Sequence, residues 1–328
     1  MALPSVSVVV PTYRRPDALD ATLSALDALD YPADQLEVIV VDDGSGDRTP
    51  EIVGGHPNVT YVEQANGGAA TARNHGARVA KGELLLFVDD DILVEPSHLQ
   101  HHLAVHDRHA RALVNGEWEF APATVAALQA TPFGRYRLAL EDRFRRETRG
   151  EPLPDGCLRV DIVPSQDLSL SRELFWGIGG FDEDFPAAGA EDQEFSFRAR
   201  DAGCALLRDP SIRLLHNDAR VTLEQFCRRE ERSAATIPHL ARRYPDADAA
   251  VSYLRANGPI SRTDRPNLVL IKIAKAAFAR ARVLSAARRV IGVLERLPVP
   301  DAVLARAYSG LAGLYIFRGV RAALVPRS

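Results

Sequence analysis

The sequence contains little cysteine and lacks long apolar runs. Only three cysteines occur among 328 residues, Cys157, Cys204 and Cys227. Their odd number and wide spacing indicate neither a disulfide framework nor a zinc site, and they fit a reducing compartment. No stretch reaches the ~18 consecutive apolar residues of a transmembrane helix. The first residues also lack the basic segment and long apolar core of a secretory signal, so we expect a cytoplasmic protein.

Two common nucleotide-binding patterns are missing as well. The first predicted strand, residues 5–10, is not followed by G-x-G-x-x-G, and no G-x-x-x-x-G-K-[ST] occurs in the chain. The sequence therefore supports neither a dinucleotide-binding fold nor a P-loop. Internal repeats and low-complexity segments are absent too, and the length allows one large or two modest domains.

Charge is plentiful but unevenly distributed. Residues 265–328 contain 12 basic and two acidic residues, a net charge of +10, whereas the preceding 264 residues carry −14. On a helix over residues 268–297, two sets of residues recur every seven positions: Lys275, Arg282, Arg289 and Arg296 on one face, and Leu270, Ala277, Leu284 and Ile291 on another. A basic amphipathic helix is typical of peripheral attachment to an anionic membrane. Packing of its apolar face on the rest of the chain or on a partner subunit is the equal alternative.

The most informative feature is the aspartate triplet Asp89-Asp90-Asp91, directly after the apolar run 84–88. Five apolar residues in a row predict a buried strand, which unpaired charge cannot continue. The chain must therefore surface at the carboxyl end of a strand, where open α/β sheets bind ligands. Adjacent carboxylates repel one another unless a cation neutralises them, and oxygen ligands suit Mg²⁺ or Mn²⁺. A solvated acidic turn is the alternative interpretation.

Strands and helices alternate through the first 90 residues. Predicted strands cover residues 5–10, 38–41, 59–62 and 84–88, and predicted helices cover 18–29, a segment from about 48, and 67–80. This order predicts an α/β fold with a mostly parallel sheet. Its strand ends would bring Tyr13, Arg14 and Arg15 beside Asp42-Asp43 and the aspartate triplet. An aromatic ring with a carboxylate suits a nucleobase and an acidic cluster with a cation suits a diphosphate, so we expect a nucleoside diphosphate site.

Four histidines follow the triplet. His98, His102, His106 and His109 fall roughly along one face of a predicted helix. Such spacing can bind a transition metal. A partly exposed helix behind the acidic loop is the interpretation that the sequence favours.

Five segments occur in a recognisable order: Pro11-Thr12-Tyr13, Val40-Val41-Asp42-Asp43-Gly44-Ser45, Ala72-Arg73-Asn74-His75-Gly76, Gly82-Glu83-Leu84-Leu85-Leu86-Phe87-Val88-Asp89-Asp90-Asp91, and Gly189-Ala190-Glu191-Asp192 with Arg198. In order and spacing, over about residues 5–218, they resemble the motifs of family 2 glycosyltransferases with the GT-A fold. The resemblance implies an inverting transferase of the EC 2.4 class that requires Mn²⁺ or Mg²⁺. It would move a sugar from a nucleoside-diphosphate sugar, with a UDP-sugar favoured, to an acceptor hydroxyl. The setting would be glycan, glycolipid or glycosylated-metabolite biosynthesis, with a lipid-linked acceptor as one option.

The same resemblance implies roles for individual residues. Asp192 would be the catalytic base, Asp91 would ligate the metal, and His216 lies where many relatives place a histidine near it. Contacts with the nucleotide sugar fall to a larger set of motif residues: Pro11, Thr12, Tyr13, Arg15, Asp43, Arg73, Asp90 and Glu191. Within that set, Pro11, Tyr13 and Asp43 would hold the nucleoside.

Processive members of the family carry a Gln-x-x-Arg-Trp motif after the base. The corresponding residues 224–232 contain no tryptophan, which favours transfer of one or a few sugars over polymer synthesis. Two rival functions remain open: a sugar-1-phosphate nucleotidyltransferase, which would be expected to open with a Gly-rich basic loop, and a catalytically inactive scaffold. We expect a catalytic GT-A domain over residues 1–220 and a helical C-terminal region over 221–328, basic and amphipathic from about 265.

Overall fold

The computed structural model describes residues 3–56, 58–185, 189–218 and 222–325. The chain divides into two compact units. The first, here called the sheet unit, comprises Met1–Pro122, Arg145–Asp184 and Glu191–Asp218. The second, the helical unit, comprises Ala123–Phe144, Phe185–Ala190 and Ala219–Ser328.

The sheet unit contains one ten-stranded sheet. Its strands in chain order are β1 (Val6–Thr12), β2 (Leu36–Asp42), β3 (Val59–Glu63), β4 (Leu84–Val88), β5 (Ile92–Val94), β6 (Ala112–Phe120), β7 (Glu151–Pro152), β8 (Leu158–Arg159), β9 (Asp167–Ser171) and β10 (Ala205–His216). They are ordered β3-β2-β1-β4-β9-β6-β10-β8-β7, and β5 pairs with β10. Strands β3, β2, β1 and β4 are mutually parallel, whereas β9 runs antiparallel to β4.

Fourteen helices occur among the described residues: α1 (Pro16–Asp27), α2 (Thr49–Gly54), α3 (Ala69–Val79), α4 (His98–Arg108), α5 (Pro122–Gln129), α6 (Pro132–Glu147), α7 (Arg172–Ile178), α8 (Glu191–Asp201), α9 (Leu223–Ala234), α10 (Ile237–Arg243), α11 (Asp248–Asn257), α12 (Pro266–Phe278), α13 (Ala281–Leu294) and α14 (Asp301–Leu324). The predicted α/β fold with a helical C-terminal region is confirmed. The sheet is parallel in its first four strands and mixed beyond them.

Alternating side chains of the central strands build a core on each face of the sheet. Val9 and Phe87 face the core to which α3 contributes, and Val8 and Leu86 face the core to which α1 contributes. Strands covered on both faces must be apolar at nearly every position, which explains the continuous apolar runs of β1 and β4. Helix α3 approaches β1 so closely that a Cβ on Gly76 would lie 2.3 Å from Val9 Cγ1. This packing fixes the carboxyl ends of β1, β2 and β4 side by side.

The helical unit has its own aromatic and aliphatic core. Phe133, Phe226 and Tyr308 pack together in it, and they are joined by Leu284 and Ile291 of α13. The prediction of one continuous amphipathic helix over residues 268–297 is wrong. The structure has two helices there, because α12 ends at Phe278 and α13 begins at Ala281. No helix among the described residues combines the length and apolar character that crossing a bilayer requires.

Candidate functional site

The three aspartates after β4 point to three different sets of partners, all within the sheet unit. Asp90 accepts hydrogen bonds from Thr12 Oγ1 at 2.8 Å and from Arg15 Nη1 at 2.6 Å. Asp91 Oδ2 accepts from Arg15 Nη2 at 2.5 Å and lies 3.1 Å from His216 Nε2. Burial raises the pKa of Asp90 to about 7, although Arg15 acts to lower it. The triplet is therefore a set of individually bonded carboxylates and not a solvated acidic turn.

Arg73 joins the triplet to the second acidic motif. Its buried guanidinium donates from Nη2 to Asp89 Oδ1 at 2.6 Å and from Nη1 to Glu191 Oε1 at 3.4 Å. Residue 73 lies on α3, residue 89 at the end of β4 and residue 191 at the start of α8. The Arg73 side chain thus joins the aspartate triplet to the Glu191-Asp192 pair, about a hundred residues further along the sequence. Asp192 lies next to this contact.

Asp192 has the electrostatic setting of a general base. Burial and the neighbouring Glu191 carboxylate raise its pKa to about 7, against the lowering effects of Arg73 and of a hydrogen bond with Ser165. Its Oδ1 is buried and has no hydrogen-bond partner among the described residues. A carboxylate with one free oxygen and a pKa near the working pH can accept a proton from a hydroxyl.

Asp91 and His216 are the candidate metal ligands. Burial alone would raise the pKa of Asp91, but His216 and Arg15 outweigh it and hold that pKa below its usual range, so the carboxylate is ionised. His216 ends β10, where its ring lies 5.6 Å from the Trp118 ring and 6.0 Å from the Phe120 ring. The 3.1 Å between Asp91 Oδ2 and His216 Nε2 is a spacing that two ligands of one ion adopt.

The carboxylate and imidazole pair therefore suits a divalent cation, with substrate oxygens completing the coordination. The Arg15 guanidinium would compete with the ion, because Arg15 Nη2 lies against Asp91 Oδ2, the oxygen that would ligate it. The Arg15 side chain is 33% exposed, so one side of it faces solvent.

The loop after β1 is strained and open to solvent. Arg14 has φ 55°, the sole positive φ at a non-glycine residue that the described chain shows, and it is held by Ser45, whose Oγ and carbonyl O accept from its N and Nε. Its guanidinium lies 5.0 Å from the centre of the Tyr13 ring, which is 41% exposed. Strain of this kind costs about 1–3 kcal/mol and clusters at functional sites. The exposed Tyr13 ring is available for stacking.

Asp43 is buried and its carboxylate is fully engaged. It accepts four hydrogen bonds from the segment after β3: Gln64 Nε2 at 2.8 Å, Asn66 Nδ2 at 3.0 Å, Gly67 N at 2.7 Å and Gly68 N at 2.9 Å. A carboxylate offers about four acceptor positions, so all of them are in use. Asp43 therefore fixes the loop that leads into α3. Its predicted contact with a nucleobase stays a prediction.

The remaining predicted residues lie at the same strand ends. Pro11 and Thr12 are buried in β1, where they pair with Val41 and Asp42 of β2. Sequence reasoning missed Ser165, the partner of Asp192, and the loop donors Gln64 and Asn66 around Asp43. No local pattern marks these polar residues, because tertiary packing alone decides which carboxylate each one meets.

Comparisons with known proteins find similarity to glycosyltransferases. The family model described as Glycosyl transferase family 2 matches residues 7–158. Validoxylamine A glucosyltransferase of Streptomyces hygroscopicus subsp. jinggangensis is 32% identical over 224 residues, which cover 60% of this chain and 51% of the relative. The chain thus spans about half the length of this curated relative.

Two solved structures share the fold. The mannosyltransferase PcManGT from Pyrobaculum calidifontis, in complex with GDP-Man and Mn²⁺, matches with a TM-score of 0.58 and 23% identity, covering 96% of this chain and 87% of its own. GalNAc-T7 with UDP, GalNAc and Mn²⁺ matches with a TM-score of 0.55 and 17% identity, covering 83% and 54%. The sheet unit thus has the GT-A fold, and residues 7–158, just under half of the chain, match the glycosyl transferase family 2 model.

Proposed function

We propose that this protein is a metal-dependent, inverting glycosyltransferase that transfers a sugar from a nucleoside-diphosphate sugar to an acceptor hydroxyl. The observation that carries the proposal is the double contact of Arg73 with Asp89 and Glu191, which brings the base candidate Asp192 beside the aspartate triplet. One site then holds both a group that can accept a proton and a group that can ligate a cation.

Asp192 acts on the acceptor. Its free Oδ1 takes the proton of the acceptor hydroxyl while that oxygen attacks the anomeric carbon from the face opposite the leaving diphosphate. The new glycosidic bond forms as the bond to the diphosphate breaks, so the anomeric configuration inverts. General-base assistance of this kind contributes about 10²–10⁴-fold to the rate.

Asp91 and His216 act on the donor. Together they would hold a divalent cation, which when bound neutralises the charge that develops on the leaving diphosphate. The solved relatives named above contain Mn²⁺, which supports the same class of ion here. Arg15, once it leaves Asp91, is within reach of the same phosphates, and its planar guanidinium suits bidentate contact with phosphate oxygens.

The nucleoside lies against the loop after β1. Tyr13 stacks on the base, Thr12 and Asp90 form the floor beneath the ribose, and Asp43 holds the flanking loop in place. One of the two solved structures contains GDP-Man and the other contains UDP, so they do not decide which base the donor of this protein carries. We keep a UDP-sugar as the first candidate.

The test is a donor screen. Thermal-shift measurements with UDP-, GDP- and dTDP-sugars, each with and without Mn²⁺, should reveal one nucleotide class whose binding is strengthened by the ion. Release of the nucleoside diphosphate from that donor should follow when acceptors are added. Formation of a nucleotide sugar from a sugar 1-phosphate and a nucleoside triphosphate would support the nucleotidyltransferase instead. Absence of any donor binding would favour an inactive scaffold.

We also propose that the basic C-terminal segment contacts an anionic membrane surface at the site of a lipid-linked acceptor. Helix α12 exposes four large apolar side chains: Leu270 at 67%, Ile271 at 48%, Ile273 at 52% and Phe278 at 56%. The segment from residue 265 carries a net charge of +10, which complements anionic lipid.

Binding of the full chain to phosphatidylglycerol vesicles should weaken about tenfold or more in the Leu270→Gln/Ile273→Gln variant, since each change removes a side chain's apolar contact. A matched Val290→Gln/Val293→Gln variant of α13 is the control. Equal binding by all three proteins would contradict membrane contact through α12.

A further inference from the structure

A second cluster of metal-ligand side chains lies outside the proposed donor site. His98 and His102 are one helical turn apart on α4, and both face Asp167 at the start of β9. All three are buried, with exposed fractions of 1%, 0% and 0%. The sequence favoured a partly exposed helix here, and the structure has one, with His98 and His102 on its buried side. We call the three residues the histidine–aspartate cluster.

Three ligand atoms of the cluster converge. His98 Nε2 lies 2.8 Å from Asp167 Oδ1, His102 Nε2 lies 3.2 Å from the same oxygen, and the two Nε2 atoms are 3.2 Å apart. For a tetrahedral Zn²⁺ site with metal–ligand bonds of about 2.0–2.1 Å, neighbouring ligand atoms lie roughly 3.3 Å apart. The triangle thus has nearly the dimensions of one face of such a site.

Hydrogen bonds alone leave this arrangement poorly satisfied. If both Nε2 atoms carry a proton, two N–H groups crowd onto a single carboxylate oxygen. If one of them is bare, its lone pair faces Asp167 Oδ1, at 3.2 Å for His102 or 2.8 Å for His98, and the one remaining N–H is shared between that oxygen and the bare nitrogen. A dication at the centre accepts all three lone pairs and offsets the buried negative charge, which is otherwise costly.

The surroundings support two of the three ligand residues, Asp167 and His102, as metal sites do, whereas His98 Nδ1 has no hydrogen-bond partner among the described residues. Gly116 N donates to the other Asp167 oxygen at 2.9 Å, which turns Oδ1 toward the histidines. His102 Nδ1 lies 2.8 Å from Ser169 Oγ, so its proton can reside on that nitrogen and leave Nε2 free to ligate. Partners of this kind fix the orientation and tautomer of metal ligands. Burial also lowers the pKa of His102, which favours the neutral ring that ligates.

We propose that the histidine–aspartate cluster binds one structural transition-metal ion, best matched by Zn²⁺, which ties α4 to β9 beneath the donor site. Asp167 pairs with Val88 at the end of β4, and Asp89 N donates to Gln166 O at 3.1 Å. The ion would thus brace the strand that flanks the aspartate triplet. A small fourth ligand such as water would complete the tetrahedron.

A rival group exists on the same unit. His109, Asp155 and Cys157 also bring three ligand atoms together. Arg108, however, already donates to Asp155 Oδ2 at 3.2 Å and to Cys157 Sγ at 3.6 Å. This group also includes the partly exposed His109 and the exposed Asp155, and it serves as the internal control.

The test counts metal in the full chain. Protein from zinc-supplemented cells, dialysed against a chelator, should retain about one Zn²⁺ per chain by elemental analysis, as expected of a buried site loaded during folding. His98→Gln, His102→Gln and Asp167→Asn should each lose it. His101→Gln on the same helix, His109→Gln in the rival group and Asp91→Ala in the donor site should each keep it.

A second readout uses the wild-type chain alone and covers variants that fail to fold. Refolding with Co²⁺ should give the visible absorption bands of a tetrahedral cobalt site, and refolding without metal should lower Tm by about 5 °C or more. Wild-type protein without bound zinc and without a cobalt spectrum would overturn the proposal. Retention of the metal by a folded His98→Gln variant would overturn it as well.

Discussion

At the scale of single residues, the three aspartates of the triplet have different partners. Asp89 receives Arg73, Asp90 receives Thr12 and Arg15, and Asp91 meets His216. Three adjacent carboxylates would repel one another in water, but here Arg73 pairs with Asp89 and Arg15 pairs with both Asp90 and Asp91. If the triplet binds a metal as proposed, the ion must compete with these positive charges.

Arg15 should hold the metal site closed until donor arrives. Arg15→Gln removes the guanidinium from Asp91 Oδ2, so we expect Mn²⁺ to bind about tenfold tighter in the absence of nucleotide. Transfer should fall, because the phosphates lose a bidentate partner. Calorimetric titration of Mn²⁺ checks the first effect, with Arg14→Gln as the matched control. Unchanged affinity in both variants would contradict a competition between Arg15 and the metal.

Asp192 should set the acidic limb of the pH–rate profile. The base works only when it is ionised, and burial together with Glu191 raises its pKa to about 7. We expect kcat to be constant well above that pH and to fall tenfold per unit below it. Initial rates at saturating donor and acceptor measure the profile. A limb near pH ~4, the range of an ordinary aspartate, would show that another group is the base.

The same raised pKa makes Asp192 a cost to stability. Folding favours the protonated carboxyl between the unfolded pKa of ~3.9 and the folded value, so this residue's contribution to stability declines as pH rises through that window. Asp192→Asn should therefore raise Tm above about pH 8 and leave it nearly unchanged near pH ~4. Thermal unfolding at both pH values checks the sign. A lower Tm of the variant at the higher pH would refute it.

At the scale of structural elements, the segment between β3 and α3 depends on one carboxylate. Asp43→Ala leaves the backbone N–H groups of Gly67 and Gly68 without their acceptor. We expect a loss of about 1–3 kcal/mol in the free energy of unfolding, together with weaker donor binding. Urea unfolding measures the first, and Asp34→Ala on an exposed loop is the control. Equal stability of both variants would mean that Asp43 does not organise the loop.

Elements built by local rules could be predicted, and elements built by distant contacts could not. Strands β2 and β4 could be predicted from apolar runs that end in carboxylates, because both faces of each strand are buried. The sequence predicted a partly exposed helix at α4 but not that His98 and His102 lie on its buried side, because their partner Asp167 of β9 is 69 and 65 residues further on. The heptad pattern of the tail failed because Leu284 and Ile291 pack with α14 while Leu270 stays exposed.

The candidate site shows the same division. Its motif residues follow strand ends, so the sequence could place them at one edge of the sheet. The contact of Arg73 with both acidic motifs, the bond between Ser165 and Asp192, and the four donors to Asp43 depend on tertiary packing. Sequence therefore predicts which side chains gather, and the structure adds which of them are already engaged.

At the scale of the whole molecule, charge separates along the chain. The first 264 residues carry −14 and the last 64 carry +10. If the tail meets anionic lipid, vesicle binding should fall steeply as salt rises from low to physiological ionic strength, because screening shortens the reach of exposed charge to ~8 Å. Co-sedimentation across a salt series checks this. Binding that does not depend on salt would contradict an electrostatic contribution of the tail to vesicle binding and would leave apolar insertion as the sole contribution.

The most direct measurement of the central claim compares two asparagine variants on α8. Asp192→Asn should lower kcat for transfer by about 10²–10⁴-fold while the affinity for donor and Mn²⁺ stays within about twofold. Asp201→Asn, the same change at an exposed position of the same helix, should match the wild type. Transfer by Asp192→Asn at the wild-type rate would contradict the assignment of Asp192 as the base.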